Sequence, residues 1–232
     1  MNEQRTAPGT SKIAITLVIL VSASCAAQAE DAKFVEVQDE PDHHVVFDNS
    51  IVRIFDTHVA PGSATLYHHH PRDNVAYFLG ACELTNQRIG EEKSGPIAKK
   101  AGDFVFGRAT GEGYIHQVSN IGNSPIHMID VEFLKSPAQP SADADPALKP
   151  VVDNDRFREY RLSLAPGETS APMKLGSGVQ ILISGGQVEL IGDGRTPVKL
   201  DMHDWWQWRE AGSYTLHNVS QTPADIVELD VK

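Results

Sequence analysis

The chain contains an internal repeat, and this repeat limits the folds that it can adopt. Shifting the sequence by 105 positions aligns residues 46–62 with residues 151–167 without a gap, and seven of the seventeen pairs are identical. A shift of 101 aligns residues 103–119 with residues 204–220, where six of seventeen pairs match, including His116 with His217. Average composition would give about one match in such a window. The chain is therefore predicted to contain two copies of one domain.

Each copy is rich in short segments of β-branched and aromatic residues, and Gly, Pro, Asn or Asp separates many of them. Such segments are typical of β-strands, and no sustained helical period follows residue 29. The predicted strands are 51–55, 75–79, 104–106 and 127–133 in the first copy and 179–183, 187–191 and 226–229 in the second. The sequence therefore predicts an all-β protein of two small barrels or sandwiches packed on each other.

The first 29 residues have the pattern of a secretory signal peptide. Arg5 and Lys12 precede the apolar run 13–21, and small residues end at Ala29. The apolar run is too short to be a transmembrane anchor. Lipidation of Cys25, which would make the protein a lipoprotein, is the alternative. We expect cleavage after Ala29 and a periplasmic or secreted protein.

Composition also places the junction between the two copies. Residues 136–148 are rich in proline, small and acidic residues, which is typical of an extended linker. The first domain is then predicted to span 34–135 and the second 149–232.

The charge and the cysteines limit the partners and the source of stability. The net charge is −11, and the predicted signal peptide contributes +1, so the remainder is near −12. Such an acidic chain is a poor partner for nucleic acid or anionic lipid. Cleavage would leave Cys82 as the last cysteine, so no intrachain disulfide is expected, and Cys82 is expected to be a small buried hydrophobic residue. A small-molecule ligand or substrate is the expected partner.

Three adjacent histidines, His68, His69 and His70, lie in an otherwise strand-forming segment. Side chains alternate between the two faces of a strand, so His68 and His70 point the same way and His69 points to the other side. Two imidazoles on one face can bind one cation. The pattern predicts a metal site to which His69 does not contribute.

Two segments of the first copy resemble the two sequence motifs of the cupin superfamily: Gly62 to Gly80, with the histidines between, and 102–120, with His116. The resemblance is fainter in the second copy, but the whole chain is similar to a bicupin. It implies two tandem cupin barrels, each a double-stranded β-helix or jelly roll. It also implies that His68, His70 and His116 bind one divalent metal ion inside the first barrel.

The sequence departs from the cupin pattern at the fourth ligand. That ligand is usually Glu, after a gap of three or four residues from the second histidine, where this chain has Asn74 and Val75. Asp73 is the nearest carboxylate and the candidate replacement. On a straight strand Asp73 would face away from His70, but Pro71 favours an edge or bulge that could redirect it. Imidazole ligands do not distinguish iron, zinc, manganese, nickel and copper.

Other residues of the predicted barrel could contact a substrate. Tyr77, Tyr114 and Gln117 are candidate lining groups, with packing as the alternative for each. The remaining histidines of the first copy are expected to be structural or exposed; they are His43, His44, His58 and His127.

The second copy serves as an internal comparison. The shift of 105 places Met173 and Leu175 where the first copy has His68 and His70. Met and Leu cannot replace imidazole on a hard or borderline metal. The second barrel is therefore predicted to keep the fold without the metal site, with His217 as a polar core residue. Its tryptophan cluster, 205–208, is expected in the core or between the copies, with a carbohydrate-stacking platform as the alternative.

The cupin resemblance implies a fold but leaves the reaction open, because the superfamily contains dioxygenases, isomerases, lyases, decarboxylases and non-catalytic binders. Three imidazoles with an open position suit a catalytic metal better than a structural one. The first hypothesis is a secreted metal-dependent enzyme acting on a small oxygenated molecule, such as an organic acid, a phenol or a sugar derivative. The second is a non-catalytic binding protein for a sugar or organic acid, with a structural metal. The resemblance also suggests a homodimer.

Overall fold

The structure is a computed structural model that describes residues 33–135, 147–192, 194–201 and 204–232. Within these ranges the chain forms nineteen β-strands and one short 3-10 helix, Val37–Asp39, so the prediction of an all-β protein is confirmed. None of the described helical structure is long and apolar enough to cross a membrane. The predicted signal peptide and most of the predicted linker lie outside the described residues.

Ten strands form two five-stranded sheets that enclose the first barrel. They are β1 (Val35–Glu36), β2 (His43–Asp48), β3 (Val52–Val59), β4 (His68–His70), β5 (Asn74–Phe78), β6 (Cys82–Arg88), β7 (Ile97–Lys99), β8 (Phe104–Gly107), β9 (Tyr114–Asn120) and β10 (Ile126–Phe133). The first sheet has the order β1-β4-β9-β6-β7, and the second has the order β2-β3-β10-β5-β8. The inner faces of the two sheets pack against each other. The ring centroids of His43 on β2 and His68 on β4 lie 4.6 Å apart.

Nine strands repeat this arrangement in the second barrel. They are β11 (Val152–Asp153), β12 (Phe157–Leu164), β13 (Met173–Leu175), β14 (Gly178–Ser184), β15 (Gln187–Gly192), β16 (Val198–Asp201), β17 (Trp206–Arg209), β18 (Gly212–Asn218) and β19 (Ala224–Val231). The third sheet has the order β11-β12-β19-β14-β17, and the fourth has the order β13-β18-β15-β16. A cluster of buried apolar side chains that includes Leu182, Leu190 and Leu216 fills this barrel. The prediction of two tandem jelly-roll barrels is confirmed.

Hydrogen bonds show which residues of the two barrels correspond. The backbone N–H of Gly62 donates to the carbonyl oxygen of Asn120, and that of Gly167 donates to the carbonyl oxygen of Asn218. In each barrel the same asparagine donates its side-chain amide to two further carbonyl oxygens. Gly62 and Gly167 are 105 positions apart, as the repeat predicts, but Asn120 and Asn218 are 98 apart rather than 101.

The predicted pairing of His116 with His217 is therefore wrong by three residues. His116 corresponds to Tyr214, which is opposite Met173 across the strands, as His116 is opposite His68. The physical reason is loop length: six residues separate β8 from β9, whereas two separate β17 from β18. His217 is half-buried and alternates with buried neighbours on β18, so it faces away from the core rather than into it.

The two barrels share an apolar core between the second and third sheets. Buried side chains of β3, β5 and β10 pack with those of β12, β14 and β19 in one cluster. The tryptophans of the second barrel belong to this interface, because Phe47 lies 5.7 Å from Trp206 and 5.8 Å from Trp208 between ring centroids. Each fully buried large apolar side chain stabilises such an interface by about 1.5–3 kcal/mol. One face of the second sheet therefore holds the barrels together, and the other lines the interior of the first barrel.

Candidate metal centre

Four histidine side chains meet inside the first barrel. His68 and His116 are directly opposite each other on β4 and β9, a position that brings Cβ atoms within about 5.5 Å. His70 follows on the same face of β4, and His43 reaches in from β2 of the facing sheet. One ligand nitrogen each of His43, His68 and His70 lies within 4.8 Å of the others. The ring of His116 is 4.5 Å from that of His68 and 5.1 Å from that of His70, so all four imidazoles surround one space.

The alternation of β4 separates His69 from its neighbours. His68 and His70 are buried, whereas His69 is half-buried on the other face. Its Nδ1 lies 3.2 Å from the carboxylate of Glu36, and its Nε2 lies 2.6 Å from the carbonyl oxygen of Glu112. Burial alone would lower the pKa of His69, but these two hydrogen bonds outweigh it and raise the pKa. His69 therefore lies outside the group of four.

Three of the four imidazoles have their Nδ1 atom held by a hydrogen-bond acceptor. The acceptors are the carbonyl oxygen of Leu66 for His68 (3.0 Å), the amide oxygen of Asn86 for His116 (2.9 Å) and the carboxylate of Glu40 for His43 (2.6 Å). Because these oxygens only accept, Nδ1 carries the proton and Nε2 keeps its lone pair. The Nε2 atoms of His68 and His116 are buried and have no hydrogen-bond partner in the described part of the chain. Metal-binding histidines are oriented in this way.

Burial also favours the uncharged form of three of the imidazoles, those of His68, His70 and His116. It lowers the pKa of His68 to about 4, with the charge on His43 as the next cause. The pKa values of His70 and His116 lie well below the ordinary value, first because of burial and then because of the neighbouring imidazoles. A metal ion needs neutral imidazole, so protons compete little for these ligands at neutral pH. The donor set therefore fits one divalent transition metal ion.

His43 and its partner Glu40 are the part of this centre that the sequence analysis missed. Burial would raise the pKa of Glu40, but hydrogen bonds from His43 and from the backbone N–H groups of Leu66 and Asp42 hold it below its ordinary value. Glu40 is therefore a carboxylate that orients His43. His43 was expected to be structural or exposed. It lies 25 residues before His68 and belongs to no motif, so no local pattern connects it with the site. His43 reaches the site because its strand, β2, lies in the sheet that packs opposite β4 and β9.

The structure does not bring Asp73 to the histidines. Its Oδ2 accepts a hydrogen bond of 2.6 Å from Nε of Arg156, and its Oδ1 accepts one of 2.8 Å from the backbone N–H of Ala109. A longer contact of 3.4 Å joins Oδ2 to Arg108. Because Arg156 belongs to the second barrel, Asp73 connects the two barrels instead of completing the metal centre.

Of the three predicted substrate-contacting residues, the structure brings only Tyr114 to the site. Tyr114 stacks on His70, with ring centroids 4.9 Å apart and planes 17° apart. Tyr77 is fully buried in the interface between the barrels, where its hydroxyl donates to the carboxylate of Glu159 at 2.9 Å. Gln117 alternates with the inward-facing residues of β9 and donates to the carbonyl oxygen of Thr65 at 2.9 Å.

The histidines line a cavity of about 180 Å³ inside the first barrel. Most of its other lining side chains are apolar, among them Phe78, Leu84, Ile97, Val105, Val118 and Met128. A dry apolar cavity near 150 Å³ holds a molecule of the size of benzene. The cavity therefore has room for a compact molecule with one polar end towards the histidines.

A buried carboxyl group, Asp130 on β10, also lines this cavity and was not predicted from the sequence. Its two oxygens accept hydrogen bonds of 2.8 and 2.9 Å from Nδ2 of Asn74, whose Oδ1 accepts one of 2.6 Å from the hydroxyl of Tyr114. Burial raises the pKa of Asp130, and the hydrogen bonds from Asn74 offset only part of the rise. Burial likewise raises the pKa of Tyr114, so its hydroxyl stays neutral. The site thus contains a polar chain from Tyr114 to a carboxyl group of raised pKa.

Neither a protein-family model nor a curated protein sequence matches the chain. Solved structures do match. AerE from Microcystis aeruginosa is 14% identical, with 83% of this chain and 98% of AerE covered and a TM-score of 0.59. An oxalate decarboxylase from Lactobacillus farciminis is 9% identical, with 78% of this chain and 77% of the decarboxylase covered and a TM-score of 0.54. A cupin 2 conserved barrel domain protein from Leptotrichia buccalis is 12% identical, with 82% of this chain and 88% of that protein covered and a TM-score of 0.51.

These matches extend over both barrels and establish the fold at identities too low to carry a function. The chain is a bicupin in fold, with two cupin barrels in one polypeptide, as the sequence motifs implied. The histidine group described above lies inside the first of these barrels.

Proposed function

We propose that this protein is a metal-dependent bicupin enzyme that acts on a small, mostly apolar molecule inside its first barrel. The observation that carries the proposal is the group of four imidazoles around one cavity. Three of the four histidines are buried, and three of the imidazoles are oriented through Nδ1. The pattern of residues 1–29 supports a further proposal, that the protein acts outside the cytoplasm.

The candidate ligands are His43, His68, His70 and His116. An all-imidazole set disfavours magnesium and calcium, which prefer oxygen ligands, and suits iron, copper, nickel, zinc or manganese. A bound ion of this kind would supply Lewis-acid polarisation of a substrate oxygen or, if it is redox-active, activation of dioxygen.

The lining of the cavity narrows the substrate class. Five polar side chains line the cavity besides the histidines, and three of them, Asn74, Tyr114 and Asp130, are already hydrogen-bonded to one another. A sugar would therefore leave many of its hydroxyl groups without partners. A monocyclic phenol or a short organic acid with an apolar body fits the volume of about 180 Å³ better. Lys99, which lines the same cavity with its Nζ 5.4 Å from the centroid of the Phe78 ring, can pair with an acidic substituent.

Asp130 is the candidate acid or base. Its carboxyl group faces the cavity and its pKa is raised by burial, so it can hold or release a proton closer to neutral pH than an exposed Asp. Asn74 fixes the carboxyl group from one side, and Tyr114 fixes Asn74. A substrate bound between the histidines and Asp130 would exchange its proton with this carboxyl group while the apolar wall excludes water.

The test is turnover by metal-loaded protein on a panel of phenols and short organic acids, followed by product analysis and oxygen consumption. We expect His68→Gln to lose one equivalent of metal together with turnover, because amide oxygen is a weak ligand for these ions. Asp130→Asn is expected to keep the metal and lose turnover. His69→Gln is the matched control on the same strand, and it should keep both.

Two results would contradict this proposal. If His68→Gln retains as much metal as the unsubstituted protein, the histidine group is not the metal centre. If the protein binds these molecules but converts none of them, and His68→Gln unfolds on losing its metal, the non-catalytic binding protein with a structural metal is the better description.

A further inference from the structure

A second group of potential ligands lies on the opposite face of the second sheet. His58 on β3 and His127 on β10 are directly opposite each other in the antiparallel register. Asp56 lies two residues before His58, so it is on the same face of β3. Side chains opposite each other in neighbouring strands come within contact distance. The register therefore places two imidazoles and one carboxylate together.

The distances show that both imidazoles converge on one oxygen atom. Nε2 of His58 lies 3.0 Å from Oδ1 of Asp56, and Nε2 of His127 lies 2.8 Å from the same atom. The two rings are stacked, with centroids 4.0 Å apart and planes 24° apart. One ligand atom from each of the three residues lies within 4.8 Å of the others.

The group is open enough to admit an ion with water ligands. The side chain of His58 is 48% exposed, that of Asp56 29% and that of His127 19%. Two imidazoles and a carboxylate occupy three positions of a metal ion, and solvent can fill the others. Burial would raise the pKa of Asp56, but hydrogen bonds and charge from the two histidines hold it below the ordinary value, so Asp56 is an anion.

We propose that Asp56, His58 and His127 form a second metal site, for a borderline divalent ion such as Zn²⁺ or Cu²⁺. Imidazole with one carboxylate is a donor set that these ions accept, whereas magnesium and calcium require more oxygen ligands. The site is independent of the function proposed for the barrel interior, because it lies on the other face of the sheet.

The location of the site indicates its role. His127 contacts Trp205 of the second barrel edge to face, with ring centroids 5.9 Å apart. An ion held by β3 and β10 fixes His127 against Trp205 at the margin of the interface between the barrels. The second site therefore stabilises the junction of the two barrels.

Equilibrium dialysis against Zn²⁺ followed by elemental analysis tests the site. We expect His58→Gln and His127→Gln each to bind one equivalent less than the unsubstituted protein, whatever the barrel interior binds. His217→Gln, a half-buried histidine on the second barrel, is the matched control and should bind as much as the unsubstituted protein. His58 is largely exposed, so its replacement is expected to leave the fold intact, which circular dichroism would verify. An unchanged stoichiometry in both variants would overturn the proposal.

Quenching of tryptophan fluorescence by Cu²⁺ gives a second readout that does not depend on stoichiometry. We expect saturable quenching that is lost in His58→Gln and strongly reduced in Trp205→Phe, because Trp205 is the indole in contact with His127. Occupation of this site by Zn²⁺, at about 100 times its dissociation constant, should also raise the melting temperature by about 5–10 °C. His58→Gln should lose this part of the rise and keep only the part that comes from Zn²⁺ bound in the barrel interior. Quenching of the same amplitude and midpoint in His58→Gln would contradict a site at this position.

Discussion

Glu40 offers a way to weaken the metal centre without touching a ligand. Its carboxylate is buried and accepts hydrogen bonds from Nδ1 of His43 at 2.6 Å and from the backbone N–H of Asp42 at 2.9 Å, both on Oε2. The other oxygen accepts a hydrogen bond of 3.0 Å from the backbone N–H of Leu66. All three partners therefore need an acceptor, which an ionised carboxylate supplies on both sides.

The substitution Glu40→Gln replaces one of these oxygens with an NH₂ donor. If the NH₂ group faces His43, that imidazole must accept at Nδ1 and carry its proton on Nε2, where it cannot bind a metal. If the NH₂ group faces Leu66, a buried backbone N–H loses its acceptor. An unpaired buried donor costs about 1–3 kcal/mol. Loss of such an orienting partner reduces metal affinity by about 10–100-fold, and we expect a reduction in this range.

The assay is competition for Zn²⁺ with a chromophoric chelator, in a His58→Gln background so that only the barrel interior is titrated. Glu36→Gln is the matched control, because Glu36 contacts the outward-facing His69 in the same way. We expect Glu36→Gln to leave the Zn²⁺ affinity within about twofold. Equal affinities for Glu40→Gln and the unsubstituted protein would refute the assignment of His43 as an oriented ligand.

Three further predictions concern the surroundings of the metal centre. A Cβ at Gly107 would lie 2.2 Å from the hydroxyl oxygen of Tyr114. Gly107→Ala should therefore lower the free energy of unfolding, measured by urea denaturation, by about 1–3 kcal/mol. Gly80→Ala is the control and should not be destabilising, because a Cβ at Gly80 has no atom within 4 Å. In metal-free protein the pKa of His68 is lowered from 6.5 to about 4, so the unfolded chain binds the proton more readily. The contribution of His68 should therefore be complete above pH 6.5 and fall by about 3 kcal/mol as the pH drops to 4. His70 and His116, whose pKa values are also lowered, should add to this fall. A flat stability profile over this range would contradict the burial of a neutral His68. Asp73→Asn should lower the free energy of unfolding by roughly 1–3 kcal/mol, because it weakens the charged contact with Arg156 between the barrels. It should leave the Zn²⁺ affinity unchanged, and a loss of affinity would show that Asp73 is a metal ligand after all.

Much of the metal centre was predictable because strand periodicity is a local property. The alternation of His68, His69 and His70 follows from the sequence alone, and the structure places the three side chains accordingly. His116 was identified through a motif whose spacing reflects the pairing of β4 with β9. The repeat likewise predicted that Met173 and Leu175 occupy the corresponding interior of the second barrel, where both are buried.

The remaining features depend on contacts between sheets, which no local pattern encodes. His43 and Asp130 reach the cavity from the facing sheet, and neither belongs to a motif. Asp73 has the chemistry of a metal ligand, but its carboxylate accepts a hydrogen bond from Arg156 of the other barrel. His116 was paired wrongly with His217 because the loops differ in length. The connection between β17 and β18 is shorter than that between β8 and β9, and an alignment without gaps cannot account for this difference.

The most direct test of the metal centre is anomalous diffraction from crystals grown with the bound metal, measured at the absorption edge of that metal. We expect a peak inside the first barrel, about 2.0–2.2 Å from Nε2 of His68 and of His116, with His43 and His70 around it. A crystal with both barrels intact and no anomalous peak among these histidines would contradict the proposed centre.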